Sequence, residues 1–258
     1  MREKPAVDVP ASLAEALRSA KHVAVLTGAG VSAESGLPTF RDPMTGLWAK
    51  YRPEDLATPE AFERDPRLVW EWYEWRRGLV AGARPNPGHL ALAEMERRVP
   101  RLSLLTQNVD GLHQRAGSRN VVELHGNITR SKCFDREHPV ESWPKTSDVP
   151  PRCPQCGSPL RPDVVWFGEA LPESALAAAW DAADSCDLFF SIGTSGTVQP
   201  AASLAHRAQS RGATVAIINP DVSNFASRSQ VLIQGMSGRV LPALLEKAWP
   251  APGTAHAE

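Results

Sequence analysis

The chain has 258 residues, of which 42% are hydrophobic and 22% charged, the composition of an ordinary soluble globular protein with room for one substantial core and a small second module. A formal net charge of -1 gives no electrostatic case for nucleic acid or an anionic membrane as partner, and no uninterrupted apolar run is of bilayer-spanning length. Four cysteines do not suggest a disulfide scaffold, and the segment from Met1 to Asp8 lacks the apolar core of a signal peptide, so a reduced, cytoplasmic protein is expected.

Residues 11–20 combine helix formers with apolar positions at helical spacing. His22 to Leu26 then read as a short buried strand, after which Gly28, Gly30, Gly36 and small hydroxyl residues replace the aliphatics. Glycine lets a backbone turn sharply and leaves room for a ligand. A strand feeding such a turn is expected to offer unpaired N–H groups to a phosphate at the start of a helix. On its own Gly28-x-Gly30-x-x-Ala33 is a weak signal, because many strand–helix turns carry two glycines and bind nothing.

Thr58-Pro59 and Asp65-Pro66 each look like an N-cap followed by proline in the first turn. The spacing predicts a tryptophan-dense helix over 66–80 and a second helix from about His89 to Arg98, separated by Pro85-Asn86-Pro87-Gly88. Leu102 to Thr106 is a further apolar strand followed by Gln107, Asn108 and Asp110, and Val121 to Leu124 is a strand ending at His125-Gly126. Residues 127–160, rich in proline and lysine and holding three of the four cysteines, read as an inserted loop-rich module. Helices follow at 173–184 and 200–211, and strands at 187–192, 214–218 and 231–234. Residues 249–258 read as a disordered tail.

Mostly apolar strands alternating with helices predict an α/β fold, a doubly wound parallel sheet covered on both faces, with a smaller inserted module. The expected partition is a discontinuous nucleotide-binding domain (11–44, 86–126 and 168–248) and a small domain (45–85 and 127–167). Ligands of such sheets bind beyond the carboxyl ends of the strands. The turns after residues 26, 106, 192 and 218 are therefore expected to converge on one crevice. Their small or amide-bearing residues suit phosphates, ribose hydroxyls and a carboxamide.

The segments GAGVSAESGLPTFR (28–41), TQNVDGLH (106–113), ELHG (123–126), VVWFGE (164–169), IGTSG (192–196) and INP (218–220) together resemble the sirtuins, NAD-dependent protein deacylases. The resemblance covers roughly residues 22–245, in the family's order. It implies a Rossmann-like NAD domain, a small domain with a structural zinc ribbon, and acyl-lysine proteins as partners in the cleft between them. It places Gly28, Ala29, Gly30, Ser32 and Glu34 along the pyrophosphate turn, and Phe40 and Arg41 over the nicotinamide ribose and phosphates. Gln107 and Asn108 would face that ribose, Asp110 would hold the carboxamide, and Gly193, Thr194, Ser195 and Asn219 would cradle the adenosine end.

Breaking a bond to nicotinamide develops positive charge on the ribose, for which oriented amides and a carboxylate are suited. His125 would then act as the base on a ribose hydroxyl, a role that a pKa near 6.5 suits. A lone strand-end histidine is more often a hydrogen-bonded core residue; its place in the family pattern reverses that for His125, whereas His113 is expected to be structural. Val164, Val165, Trp166 and Phe167 are expected to pair edge-on with a substrate backbone.

Within 66–80, Val69, Tyr73, Arg76 and Val80 fall on one helical stripe. A guanidinium beside a phenol can take a carboxylate through paired hydrogen bonds, while the plainer reading is an arginine reaching past an aromatic to water. Tyr73-x-x-Arg76 matches the pair that marks the class III sirtuins, the bacterial and mitochondrial desuccinylase subgroup, which implies desuccinylation and demalonylation beside deacetylation.

Zinc in this family is typically held by two Cys-x-x-Cys pairs. Cys153 and Cys156 supply one, but three residues after Cys133 stands Arg136, which cannot ligate. Three readings stay open: Cys133 completed by His138 or Asp135, a three-cysteine site, or no zinc. Cys133, Cys153 and Cys156 are the candidate ligands, with His138 the preferred fourth, and Cys186 is expected to be a buried thiol. Competing functions are protein mono-ADP-ribosyl transfer, a dehydrogenase suggested by the glycine turn alone, and a catalytically silent NAD sensor.

Overall fold

The computed structural model describes residues 8–39, 48–222 and 230–250. In chain order the strands are β1 (His22–Thr27), β2 (Arg101–Thr106), β3 (Val121–Glu123), β4 (Gly126–Cys133), β5 (Pro139–Val140), β6 (Leu160–Val164), β7 (Leu188–Ile192), β8 (Thr214–Asn219) and β9 (Val231–Gln234). A parallel sheet runs β3-β2-β1-β7-β8-β9, and a small antiparallel sheet runs β5-β4-β6. The larger sheet reverses its winding direction between β1 and β7, the doubly wound order in which ligands sit at the switch point.

The helices are α1 (Ala11–Ser19), α2 (Ala29–Ala33), α3 (Pro53–Leu56), α4 (Pro59–Arg64), α5 (Pro66–Gly82), α6 (Pro87–Arg98), α7 (Leu112–Arg115), α8 (Glu173–Ser185), α9 (Ser203–Ser210) and α10 (Ser237–Ala248). α1, α6 and α10 cover one face of the large sheet, with Leu17, Met95 and Leu244 packed with Val23, Val25, Phe190 and Ile218. α8 and α9 cover the other, with Ala183 and Leu204 packed with Ala24, Leu26, Phe189 and Ile217. Successive strand residues point to opposite faces, so Phe189 and Phe190 belong to different cores.

A third core joins α4 and α5 to the small sheet through Phe62, Val69, Trp72, Ile128, Val164 and Trp166. Thr58 and Asp65 do cap α4 and α5, accepting from Ala61 N–H and Leu68 N–H, with proline next in each. Arg77 on α5 donates to the carbonyls of Ile128 and Arg130, and Arg115 donates to those of Val80 and Ala83 at the end of α5. The helix is thereby held at both the small sheet and its own C-terminus. Trp70 and Trp72 are buried, and half-buried Trp75 packs on Trp48.

Three expectations change. Residues 127–160 are more regular than a loop-rich module, because β4 and β6 pair there around a bulge between Asn127 and Ser131. The sequence pattern left 237–248 unassigned, whereas α10 buries Val240, Leu241, Leu244 and Ala248 in the main core despite Pro242 inside it. Finally, Trp249 is no part of a loose tail: its N–H donates to the Leu245 carbonyl and its ring packs against the core beneath Arg98. The remaining tail, 251–258, lies outside the described residues.

Candidate active site

The four strand-end turns meet as expected. Gly28, Gly30, Gln107, Asn108, Asp110, Gly193, Thr194, Ser195 and Asn219 all line one cleft of about 520 Å³, together with Ala29, Ser32 and His125. The reason for the glycines differs from the one expected. Gly28 N–H donates to the Ile192 carbonyl and Gly30 N–H to the Gly193 carbonyl, each at 3.0 Å. A Cβ on Gly28 would stand 2.7 Å from the Gly193 oxygen, and one on Gly30 would stand 2.8 Å from the Gly193 Cα. Gly193 itself has φ +60°, and a Cβ there would lie 2.6 Å from Val31 N. The β1 and β7 turns thus pack backbone on backbone, and the Gly28 and Gly30 amides are engaged with protein rather than free for a phosphate.

Glu34 also corrects its expected role. Its carboxylate accepts from Ser237 Oγ–H and Gly238 N–H at the start of α10, and it does not line the cleft. It ties α2 to α10, an acidic group at a helix N-terminus. Phe40 and Arg41 lie outside the described residues.

The cleft floor is a connected polar set. Asn108 Nδ2 donates to the Gly28 carbonyl and to Ser32 Oγ, both at 3.0 Å, which fixes the amide orientation and leaves Oδ1 as its accepting end. Ser32 Oγ donates to Asp110 Oδ2 at 2.6 Å, and Leu112 N–H donates to Asp110 Oδ1 at 2.8 Å. Each carboxylate oxygen keeps a second lone pair for a further N–H donor, the kind a carboxamide carries. Below this, Thr27 Oγ1 bonds Thr106 Oγ1 and His113 Nε2, both at 2.9 Å. His113 is a buried floor residue, 1% exposed, as expected of a structural histidine.

His125 stands where the chain leaves the large sheet for the small one. Gly126 follows at φ +76°, and a Cβ there would strike the Asp163 carbonyl at 2.2 Å, so the link from β3 to β4 requires glycine. His125 Nδ1 lies 3.0 Å from the Gln107 carbonyl oxygen. A carbonyl only accepts, so Nδ1 carries the proton and Nε2 the lone pair. Burial pushes the His125 pKa below 6.5, with the Gln107 carbonyl acting against it.

The α5 side of the cleft holds three of the four stripe residues, while Val69 is buried in the third core. Tyr73, Arg76 and Val80 line the cleft, as do Val164, Val165, Trp166 and Phe167. Burial pushes the Tyr73 phenol up to about 12, so it remains a donor. Arg76 is recessed in the cleft, half-buried, with its guanidinium 5.0 Å from the Trp72 ring centroid. Burial lowers the Arg76 pKa, opposed by the neighbouring Tyr73 phenol and the Asp110 carboxylate. The expected backbone pairing meets a limit: the N–H groups of Val165, Trp166 and Phe167 already donate to the His125 carbonyl, Glu169 Oε2 and the Ala57 carbonyl.

Away from the cleft, four thiol and imidazole groups gather at the edge of the small sheet. The turn after β4 closes when Cys133 N–H donates to the His138 carbonyl at 3.0 Å, which brings His138 back beside Cys133. The ligand atoms of Cys133, His138 and Cys153 lie within 4.8 Å of one another, and Cys156 Sγ is 3.4 Å from Cys133 Sγ. Tetrahedral zinc with Zn–S near 2.3 Å sets sulfur atoms about 3.8 Å apart, a spacing that the Cys133, His138 and Cys153 group suits, with Cys156 adjoining it beside Cys133. Cys186 is buried and apolar in its surroundings, which raises its thiol to about 11.

Arg161 and Glu169 carry no site signal in the sequence, yet Glu169 lines the cleft and Arg161, buried, pairs with it. A buried, paired arginine eight positions from its glutamate around a turn leaves no local pattern.

A parallel sheet wound in this order, with four strand-end turns around a polar floor and a neutral histidine above it, defines a dinucleotide-binding enzyme of the doubly wound class. The Sir2 family model matches residues 28–200, and the chain belongs to that family. It is 52% identical over 242 residues to NAD-dependent protein deacylase 2 of Pyrobaculum aerophilum, covering 92% of this chain and 94% of that protein. A Sir2 homologue solved as an NAD complex superposes with a TM-score of 0.84 at 44% identity, over 95% of this chain and 96% of that one. A mutant Sir2 homologue solved with 2'-O-acetyl ADP ribose gives a TM-score of 0.84 at 46% identity, over 93% and 96%.

Proposed function

We propose that this chain is an NAD-dependent protein-lysine deacylase that accepts acyl groups ending in a carboxylate, succinyl and malonyl, as well as acetyl. NAD supplies the nicotinamide–ribose bond that is broken. The chain's own part is to hold and orient. Asp110 offers carboxylate lone pairs to the carboxamide, Asn108 and Gln107 line the ribose end, and Thr194, Ser195 and Asn219 line the far end. His125, with its proton on Nδ1, takes a hydroxyl proton at Nε2. Transfer of the acyl group to ADP-ribose is favoured over mono-ADP-ribosylation by the deacylase name of the relative and by the acetyl ADP ribose held by the solved homologue.

The observation that carries the acyl preference is Arg76 recessed in the cleft beside the Tyr73 phenol. A carboxylate placed between them gains charge-assisted hydrogen bonds that an acetyl methyl cannot make. Zinc held by Cys133, His138, Cys153 and Cys156 belongs to the same proposal, as a clamp on the small sheet far from the reacting groups. So does cytoplasmic residence, which four cysteines outside any disulfide support, and so does the two-part domain division. The test is turnover of succinyl- and acetyl-lysine peptides by wild type and Arg76→Met. A hydrogen bond to a charged group is worth about 1.5–3 kcal/mol, so succinyl kcat/KM should fall about ten- to hundredfold while acetyl changes far less. Equal losses on the two peptides rule out acyl selection by Arg76.

A further inference from the structure

Behind the Tyr73 hydroxyl lies a buried chain of contacts that starts at Arg161 in β6. The Arg161 side chain is 2% exposed, and a guanidinium is kept at such depth only when paired. Its two terminal nitrogens donate to both oxygens of Glu169, and Nη2 donates also to the Val164 carbonyl at 2.8 Å. The guanidinium lies 3.3 Å from the centroid of the Trp166 ring. Glu169 closes the loop on the other side: its Oε2 accepts from Trp166 N–H at 2.7 Å, and its own N–H donates to the Trp166 carbonyl at 3.1 Å. The indole is therefore held by its face and its backbone, and Phe62 packs on it at 5.3 Å.

The held indole has one polar atom, and it is aimed at the acyl wall. Trp166 Nε1–H donates to the Tyr73 hydroxyl oxygen at 2.9 Å. A phenol that accepts from one side is left with its own O–H to give to another, and Tyr73 lines the cleft one helical turn from Arg76. Burial keeps that phenol protonated through the working pH range.

We propose that Arg161, Glu169 and Trp166 are positioning residues for acyl-group choice: the Arg161–Glu169 pair seats the indole, and the indole N–H orients the Tyr73 hydroxyl so that its proton is directed at the carboxylate of a succinyl or malonyl group. The inference rests on the acyl reading given above and adds the residues that set it. An acetyl group has no carboxylate to receive that proton, so the chain bears on one class of acyl group and not the other.

The experiment is steady-state kinetics on succinyl- and acetyl-lysine peptides for wild type, Trp166→Phe, Tyr73→Phe and the double variant, with Arg76→Met alongside. Trp166→Phe keeps a ring in the core and deletes the N–H. One neutral hydrogen bond corresponds to about a three- to tenfold effect, expected as a rise in KM for the succinyl peptide beyond any rise for the acetyl peptide. The double variant should show the same succinyl-to-acetyl ratio as Tyr73→Phe, because the indole N–H acts only through the hydroxyl that Tyr73→Phe has already removed. Glu169→Gln, which weakens the seat without emptying it, should shift the ratio in the same direction and carries the test if Trp166→Phe fails to fold. Equal losses on both peptides, or a double variant whose ratio is the product of the two singles, overturns the inference. If Arg76→Met collapses the ratio while Trp166→Phe and Glu169→Gln leave it unchanged, only the positioning claim falls. If Arg76→Met leaves it unchanged as well, the acyl reading falls with it.

Discussion

Gly30→Ala separates two reasons for a glycine in the β1 turn. If glycine serves ligand approach, alanine should weaken NAD binding and leave the unliganded fold alone. The structure gives the other reason. The new Cβ would meet the Gly193 Cα at 2.8 Å, its oxygen at 2.9 Å and its carbonyl carbon at 3.2 Å, all backbone atoms. Relief requires the two turns to part by about half an ångström or more, to ordinary contact near 3.5–4.0 Å. That lengthens the Gly30 N–H bond to the Gly193 carbonyl, now 3.0 Å, at about 1 kcal/mol, and overpacking adds about 1–3 kcal/mol. Alanine in α2 returns about 1 kcal/mol of helix propensity, so the net loss is about 1–3 kcal/mol. For a protein of this size that is a fall in Tm of about 2–12 °C, read without NAD by thermal unfolding and checked by urea titration. A variant with wild-type unfolding and only a raised KM for NAD would refute the packing account.

His125 supplies a pH prediction. Burial holds its pKa below 6.5, and the neutral ring is the active form, so kcat/KM should stay level as pH falls toward 6.5 and drop only below it. His125→Ala should remove that acidic limb and lower turnover by about a hundredfold or more; a limb centred above 6.5 contradicts the assignment. His113, lowered to about 3 by burial and by His89 beside it, bears on stability. Below the unfolded value near 6.5 the unfolded chain takes up a proton that the folded chain refuses. Stability is then whole above 6.5 and falls by about 1.4 kcal/mol per pH unit beneath it, and equal urea midpoints at pH 7 and pH 5 would sink this. Metal analysis should find about one zinc per chain, lost with a drop in Tm in Cys153→Ser; a folded wild type without zinc rejects the four-ligand site.

Much of this was legible in the sequence. Six apolar runs separated by helical patterns define a parallel sheet, and polar residues after four of them point to a single cleft, because a buried strand can carry polar chemistry only past its end. α10 was hidden by Pro242, and β4 by the polar residues Asn127, Thr129, Arg130, Ser131 and Lys132, whose place in a strand depends on pairing with β6. The glycines at 28 and 30 were visible, but their reason was not, since the atoms that exclude a side chain belong to Gly193, far along the chain. His138 could be read as a ligand only as one choice among several. The turn that returns it to Cys133 is what selects it over Asp135. The Arg161–Glu169–Trp166–Tyr73 chain spans β6, the following turn and α5, and no local pattern signals it.

The most direct test of the central claim is a mass balance. Purified protein is incubated with NAD and an acyl-lysine peptide, and nicotinamide, deacylated peptide and O-acyl-ADP-ribose are quantified together. The account predicts the three in equal amounts, with all three falling together in His125→Ala. ADP-ribose accumulating on protein without deacylated peptide, or NADH in place of nicotinamide, would contradict it.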